Sequence, residues 1–259
     1  MMWAPRPRTD FAPLRGIRAG SGPRVILLHG VGLRAEAWSA QIDVLHKSFE
    51  VVALDTAGHG DSPPLTVNAS LAAFTDLVAA AIEGPVLVAG HSMGAMIGLD
   101  LAIRYPDLVL GIAALNAIYR RTPEAAAAVR KRAAVLDGNS SPESTDTLKR
   151  WFGTAPSPEA TACFNWLRSV DPAGSRAAYM VFAHEDGPDD AGLAQLRCPA
   201  LFCTGSEEPN SLPAMSEAMA TLAPQGTARI VDGAAHMMPM THPTEVNGIL
   251  MDFFERCRA

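Results

Sequence analysis

The chain has 259 residues, of which 48% are hydrophobic and 19% are charged. These proportions are typical of a folded domain with a sizeable core and exclude an intrinsically disordered chain. The formal net charge of −6 argues against nucleic acid or an anionic membrane as the main binding partner.

The sequence contains no evident targeting or membrane-spanning segment. Its first residues are partly basic, but the apolar region of a signal peptide does not follow them, and no apolar run is long enough to span a bilayer. The four cysteines have no metal-ligand spacing, so we expect reduced thiols in a cytoplasmic protein. They are Cys163, Cys198, Cys203 and Cys257.

Six short apolar runs predict strands that are buried on both faces, as in a parallel sheet. They cover residues 25–28, 51–54, 86–89, 109–115, 200–203 and 228–231. Apolar residues at helical spacing lie between and after these runs. The predicted helices cover residues 36–46, 70–82, 93–104, 215–222 and 244–257. This alternation predicts an α/β fold, a mostly parallel central sheet with helices on both of its faces.

Residues 118–192 contain no evident buried strand, and helical signals dominate there. Thr122-Pro123-Glu124 predicts an N-cap, a proline in the first turn and a favourable acid. We interpret Arg130-Lys131-Arg132 as favourable charge at the C-terminus of that helix rather than as a nucleic-acid patch. The sequence thus predicts a core of residues 1–117 and 193–259, with 118–192 as a helical insertion covering one end of the sheet.

The strongest chemical signal is Gly90-His91-Ser92-Met93-Gly94, directly after the strand at 86–89 and at the start of a helix. In this strand–turn–helix context the G-x-S-x-G pattern predicts a nucleophilic serine on a sharp turn. Glycines are needed because side chains two residues before and after the serine would collide in such a turn. The amide of Met93 would lie at a helix N-terminus, where it can stabilise an oxyanion.

A second signal is His29-Gly30-Val31-Gly32, at the end of the predicted strand 25–28. Glycines there allow the backbone to approach a ligand closely. We expect the Val31 amide to act with the Met93 amide as an oxyanion hole.

A serine hydroxyl needs a base, and His236 lies in the loop after the last predicted strand. A carboxylate must in turn hold the imidazole, and the loop after the penultimate strand contains two glutamates. Glu208 is the predicted acid and Glu207 the reserve, with two solvated loop residues as the alternative interpretation. Asp232 is nearer to His236 in sequence but is expected to shape its turn.

With these motifs the chain resembles the α/β-hydrolase superfamily over almost its whole length. The order serine, acid, histidine is that of the superfamily, and residues 54–62, Leu-Asp-Thr-Ala-Gly-His-Gly-Asp-Ser, are similar to its D-x-x-G-H-G-x-S segment. The chain looks most like the small cytosolic esterases and lactonases around the 3-oxoadipate enol-lactonases, and somewhat like the meta-cleavage-product hydrolases. Residues 196–200 leading into 205–209, and residues 210–215, carry this closer likeness.

The sequence departs from the family pattern at two positions. Glu208 replaces the usual aspartate, and Ala95 follows Gly94 where a glycine is usual. The resemblance implies that residues 118–192 form the lid that shapes the substrate pocket.

These motifs predict a serine hydrolase that cleaves a small carboxylic ester or lactone through an acyl-enzyme on Ser92. Carbon–carbon bond hydrolysis of the meta-cleavage-product type uses the same residues and stays open. A ligand-binding, receptor-like protein with little turnover is the alternative from a different class.

The expected pocket lies between the sheet and the insertion. Its candidate residues are Gly30, Arg34, Trp38, Trp151 and Trp166. A substrate carboxylate would have Arg34, Arg120, Arg121 and Arg176 as candidate partners, with solvated surface as the alternative for each. We expect no metal or organic cofactor. The expected partner is a small-molecule substrate, with neither nucleic acid nor membrane, and a homodimer is left open.

Overall fold

The computed structural model describes residues 3–65, 68–140 and 144–258. Within these residues eight strands form a single sheet in the order β1-β2-β4-β3-β5-β6-β7-β8. The strands are β1 (Thr9–Phe11), β2 (Leu14–Ala19), β3 (Arg24–Leu28), β4 (Glu50–Asp55), β5 (Val86–His91), β6 (Val109–Leu115), β7 (Ala200–Gly205) and β8 (Gly226–Val231). Pairing is antiparallel for β1 with β2 and β2 with β4, and parallel elsewhere. The predicted α/β fold with a mostly parallel sheet is therefore confirmed.

The antiparallel strands β1 and β2 were not predicted from the sequence. Each is short, and β2 alternates buried residues such as Leu14 and Ile17 with exposed Arg15 and Arg18. Only one of its faces is covered, so it lacks the continuous apolar run that marks the buried parallel strands.

Helices cover both faces of the sheet. They are a 3-10 helix (Ala35–Trp38), α1 (Ser39–Leu45), α2 (Leu71–Ala80), α3 (Met93–Arg104), α4 (Pro123–Ala134), α5 (Thr145–Phe152), α6 (Pro158–Ser169), α7 (Pro172–His184), α8 (Asp190–Ala194), α9 (Pro213–Leu222), α10 (Met238–Thr241) and α11 (Pro243–Cys257). No helix in the described part of the chain combines the length and apolar character needed to cross a membrane.

The buried strands contribute side chains to two hydrophobic cores, one on each face of the sheet. On one face α2, α3 and α9 contribute residues such as Phe74, Ile97 and Met219. On the other face α1 and α11 contribute Ile42 and Phe254. Because successive strand residues point to opposite faces, an unbroken apolar run in β3, β4 or β5 supplies both cores at once.

The chain between β6 and β7 forms α4 to α8 and no strand among its described residues, which leave out 141–143. The predicted start of α4 is confirmed, because the Thr122 hydroxyl accepts the Ala125 amide at 3.2 Å and Pro123 occupies the first turn. Ser157 and Asp171 cap α6 and α7 in the same way. The division of the chain into a core and a lid stays a prediction.

Strand order determines where the loops with chemical signals meet. The chain runs from β3 to β4 on one side and then returns to place β5 on the other side of β3. At such a switch point the loops leaving two adjacent parallel strands diverge and open a crevice at their carboxyl ends. The loop after β3 and the turn after β5 therefore lie side by side at one edge of the sheet.

Candidate active site

Ser92 lies on the turn between β5 and α3 with φ 56° and ψ −118°. This backbone conformation is strained for a residue with a side chain. The turn is tight enough that a Cβ at Gly90 would overlap the carbonyl oxygen of Gly94, and a Cβ at Gly94 would overlap that of Leu28. Both glycines of the pattern are thus required by close backbone approach, as the sequence predicted.

Two backbone amides beside Ser92 are available to a ligand. Met93 is the first residue of α3, where a helix leaves its N–H groups unpaired. Within the described residues the amides of Met93 and Val31 have no hydrogen-bond acceptor, whereas the next amide in the loop, that of Gly32, donates to His59 Nε2 at 3.0 Å. The predicted oxyanion pair is therefore free of partners among the residues that the structure describes.

Three buried histidines are neutral, and their ring nitrogens form hydrogen bonds that hold the loops around Ser92. His29 donates from Nδ1 to the Gly30 carbonyl at 2.8 Å and accepts the Thr56 amide at 3.0 Å. His91 donates from Nε2 to the His236 carbonyl at 2.7 Å. Burial lowers the pKa of His29 to about 4, and burial together with the charge of His236 lowers that of His91 to about 3. Both rings therefore form structural hydrogen bonds within the site.

His59, in the loop after β4, has the same function. It donates from Nδ1 to the Ala57 carbonyl at 3.1 Å while accepting the Gly32 amide. Burial is the main cause that lowers the pKa of His59 to about 3, and the neighbouring His29 lowers it further. The histidine of the G-H-G segment thus connects the loop after β4 to the loop that carries Val31.

His236, in the loop after β8, and Glu208, in the loop after β7, are joined by a hydrogen bond of 2.6 Å from Nδ1 to Oε2. Glu208 is 2% exposed, and its other carboxylate oxygen accepts the Asn210 amide at 2.8 Å. Burial alone would raise the pKa of Glu208, but the charge and hydrogen bond of His236 and the amide donors outweigh it and lower this pKa to about 2. An ionised carboxylate therefore faces the imidazole at neutral pH, and its Nε2 is left for another partner.

Asn116 is a site residue that the sequence analysis missed. It directly follows β6 at φ 52°, and its Nδ2 donates to Glu208 Oε2 at 2.8 Å. A polar residue at the carboxyl end of a buried strand is the signal that could have found it. Asn116 gives Glu208 Oε2 a second donor besides His236 and so restrains the carboxylate.

Ser92 and His236 both line a cavity of about 650 Å³, a size suited to a small molecule. Gly30 and Val31 line it on the core side. The other wall is formed mainly by α4, α5 and α7, which follow β6 in the chain. The crevice at the strand ends is thus enclosed by the helices inserted before β7.

The predicted pocket residues divide into two groups. Gly30 and Trp151 line the cavity, and the Trp151 ring stacks on the His236 ring with centroids 5.6 Å apart. Trp38, Arg34 and Trp166 lie elsewhere, so their prediction as pocket residues is corrected. Their positions follow from competing contacts.

Trp38 is buried in the core between the sheet, α1 and α11. Trp166 lies in α6 and belongs to a small hydrophobic cluster that includes Leu33 and Met240. Arg34 donates to Glu36 at 2.8 Å and pairs with Asp61 at 3.3 Å.

A buried ionic network supports the loop that carries Val31. The Arg8 guanidinium donates from Nη2 to Glu36 Oε2 at 2.7 Å and from Nε to Asp55 Oδ2 at 2.6 Å, and all three side chains are at most 8% exposed. Asp55, at the end of β4, also accepts the Ala35 amide at 2.8 Å. The network therefore fixes the point where the loop after β3 rejoins the core.

Acidification is expected to destabilise the protein through Glu36. Burial alone would raise the pKa of Glu36, but its hydrogen bonds to Arg8 and the Arg6 amide lower it from 4.5 to about 2. A carboxyl whose pKa is lower in the folded state contributes stability above pH 4.5 and loses it as the pH falls through 2. The lowered pKa of Glu36 corresponds to a contribution of about 3 kcal/mol to the free energy of unfolding at neutral pH. Urea unfolding between pH 7 and pH 2 should therefore show a fall in the free energy of unfolding.

The Glu36→Gln variant tests the assignment. Its free energy of unfolding should already be lower at pH 7 and should decline less on acidification, because glutamine does not titrate. Glu217→Gln, at an exposed position of α9, is the matched control. An acid profile of Glu36→Gln that parallels the wild type and Glu217→Gln would contradict the role given to Glu36.

Within residues 3–65, 68–140 and 144–258 no group of three or more histidine, cysteine, aspartate or glutamate side chains is arranged to hold a metal ion. The four cysteines are free thiols. The chemistry supported by the described residues is that of a serine, an imidazole and a carboxylate.

A model of the alpha/beta hydrolase family matches residues 25–249. A curated relative, (E)-2-((N-methylformamido)methylene)succinate hydrolase of Acinetobacter baylyi, is 38% identical over 242 residues, which cover 91% of this chain and 92% of the relative.

Two solved structures are similar over nearly the whole chain. A thermophilic esterase from Thermogutta terrifontis, with malate bound, has a TM-score of 0.84 and 26% identity, and the match covers 99% of this chain and 100% of the esterase. The enol-lactonase from Burkholderia xenovorans LB400 has a TM-score of 0.76 and 22% identity, with 96% and 100% covered, which is a likeness of fold.

Proposed function

Because the chain belongs to the alpha/beta hydrolase family, we propose that it is a serine hydrolase with Ser92 as nucleophile, His236 as general base and Glu208 as the acid that orients the base. The observation that carries the proposal is the 2.6 Å hydrogen bond from His236 Nδ1 to buried Glu208, with Ser92 and His236 lining one cavity. This hydrogen bond leaves Nε2 as the imidazole atom that takes a proton from the serine.

The reaction proceeds by two acyl transfers. In the first, the Ser92 oxygen bonds to the substrate carbonyl carbon and its proton passes to His236 Nε2. The amides of Val31 and Met93 donate to the oxyanion that develops, and the proton then goes to the leaving group as its bond to carbon breaks. In the second, water gives a proton to His236 and attacks the acyl carbon. The bond from this carbon to Ser92 Oγ then breaks, the acid is released, and the proton passes from His236 to Oγ.

The proposed substrate is a small ester, lactone or amide that carries at least one carboxylate. The Acinetobacter relative is named for a methylene succinate that bears an N-methylformamido group, and the esterase from Thermogutta contains bound malate. Succinates and malate are dicarboxylates, and a cavity of about 650 Å³ is suited to molecules of that size. Residues 118–192 are proposed as the lid that selects among them.

A substrate panel with trapping of the intermediate tests this proposal. Purified protein is given lactones, aryl esters and N-acyl aminomethylene succinates, and rapidly quenched samples are digested for mass spectrometry. We expect turnover of carboxylate-bearing compounds and a transient mass increase, equal to the acyl group, on the peptide that contains Ser92.

Other outcomes would contradict the proposal in distinct ways. Turnover of a meta-cleavage-type diketone alone would favour carbon–carbon bond hydrolysis. Ligand binding with no turnover of any class would favour the receptor-like alternative. An acyl group trapped on a residue other than Ser92 would remove the assigned nucleophile.

A further inference from the structure

One face of α4 borders the cavity. Its cavity-lining residues are Ala125, Ala128, Val129 and Arg132, which recur at helical spacing. The first three are small or apolar, so Arg132 is the cation on this face. Lys131 is exposed and does not line the cavity. Residues 130–132 were interpreted from sequence as one cluster of charge at a helix end. The helix instead places Arg132 on the cavity side and Lys131 outside the cavity.

Arg132 is a half-buried cation without a counter-ion among the described residues. Within the described residues no carboxylate oxygen lies within 4 Å of its guanidinium nitrogens, and its one hydrogen bond is from Nε to the Tyr179 hydroxyl at 3.2 Å. Both Nη groups are therefore left without an acceptor in the part of the chain that the structure describes. A partly desolvated guanidinium is stabilised by an anion, and its planar pair of donors matches the two oxygens of a carboxylate.

The other cavity arginines differ in this respect. The guanidinium of Arg121 donates hydrogen bonds to Asp186 Oδ1 at 2.9 Å and to the carbonyls of Phe182 and Glu185. It also stacks on the Phe182 ring. Arg150 is exposed and donates to Thr147.

Arg121 is one of the four candidates taken from sequence, and the other three are also engaged by protein groups. Arg34 and Arg120 pair with acidic residues, and Arg176 donates to the Leu136 carbonyl. None of these three lines the cavity.

We propose that Arg132 binds a carboxylate of the substrate inside the cavity, with Tyr179 holding its guanidinium. Tyr179 lies on α7 and also lines the cavity, so the hydrogen bond between them connects two helices of the cavity wall across the cation. The substrate would place its scissile carbonyl at Ser92 and its carboxylate at Arg132. This proposal rests on the proposed function for the identity of the reacting group but makes its own prediction for binding.

Direct binding separates the two proposals. Succinate is titrated calorimetrically into Ser92→Ala protein, which cannot turn over, and into the same protein with Arg132→Met or Lys131→Met added. We expect Arg132→Met to weaken succinate binding by about 10- to 100-fold, the range of a charge-assisted hydrogen bond. Lys131→Met removes the same charge from the adjacent position outside the cavity and should change binding less than about threefold.

A matched pair of lactones provides the kinetic readout. The carboxylate-bearing 5-oxotetrahydrofuran-2-carboxylate is compared with γ-valerolactone, in which a methyl group replaces the carboxylate. Arg132→Met should lower kcat/KM for the first by about 10- to 100-fold and leave the second within about threefold, because the charged contact exists in one substrate only.

The outcomes are distinguishable. Arg132-dependent succinate binding without turnover of any ester, lactone or amide of the substrate panel would overturn the hydrolase proposal and support the carboxylate site. No succinate binding, equal effects of Arg132→Met and Lys131→Met, or equal losses for both lactones would overturn the assignment of Arg132.

Discussion

Replacement of Ser92 by alanine is expected to reduce kcat by on the order of 10⁴- to 10⁶-fold, the range found when a nucleophilic serine of a triad is removed. Without Oγ no acyl-enzyme can form, so residual turnover comes only from the oxyanion amides and from substrate binding. Initial rates on the best substrate of the panel, with wild-type protein diluted to matching signal, measure the effect. A loss smaller than about tenfold would contradict the role of Ser92.

The strained backbone at Ser92 gives this prediction an internal control. Alanine keeps the strain, whereas glycine adopts a φ of 56° without it. Ser92→Gly should therefore be as inactive as Ser92→Ala but more stable than Ser92→Ala by about 1 kcal/mol in urea unfolding. Two folded, inactive variants would separate loss of the nucleophile from loss of structure. A Ser92→Gly protein less stable than Ser92→Ala would argue against strain at the turn.

Replacement of Glu208 by glutamine is expected to reduce kcat by about 10³- to 10⁴-fold, as loss of the charge on a triad acid does. Glutamine is nearly isosteric, but it cannot stabilise the imidazolium that forms when His236 accepts the serine proton. In the wild type, Glu208 Oε2 accepts hydrogen bonds from both His236 and Asn116. The amide of glutamine can accept only through its carbonyl oxygen. The measurement is kcat at saturating substrate across pH 6 to pH 9.

Glu207→Gln is the matched control, since Glu207 is the exposed neighbour of Glu208. Its kcat should stay within about threefold of wild type because surface substitutions rarely perturb distant chemistry. A large loss in Glu207→Gln together with a normal Glu208→Gln would exchange the two assignments and make the reserve acid the functional one.

The fold was predictable from the order of apolar runs, and the family from a resemblance carried by the order of serine, acid and histidine and by residues 54–62. All six predicted strands correspond to β3 to β8, and the resemblance to esterases and lactonases of the α/β-hydrolase superfamily is confirmed. The antiparallel strands β1 and β2 escaped because each is short and covered on one face. A strand with one solvated face carries charges within it, and these interrupt the apolar signal.

The neighbourhood of each site residue was less predictable. His236 and Glu208 were chosen by position after a strand, but their hydrogen bond depends on the parallel pairing of β7 with β8, which brings two loops to one edge. Asn116 reaches Glu208 across 92 residues of sequence. Trp38 was taken for a pocket residue, and nothing local indicates that the 3-10 helix turns its ring into the core.

By itself the sequence determined the sharp turn at Ser92, the glycine-rich loop after β3 and the alternation of strand and helix. Each of these is encoded in a few consecutive residues, because backbone geometry and side-chain periodicity are local properties. Tertiary structure alone decided that Arg132 faces the cavity without a counter-ion among the described residues, while Arg34 is neutralised by Glu36 and Asp61. A charge is free or paired according to residues distant in the chain, and only folding brings those residues together.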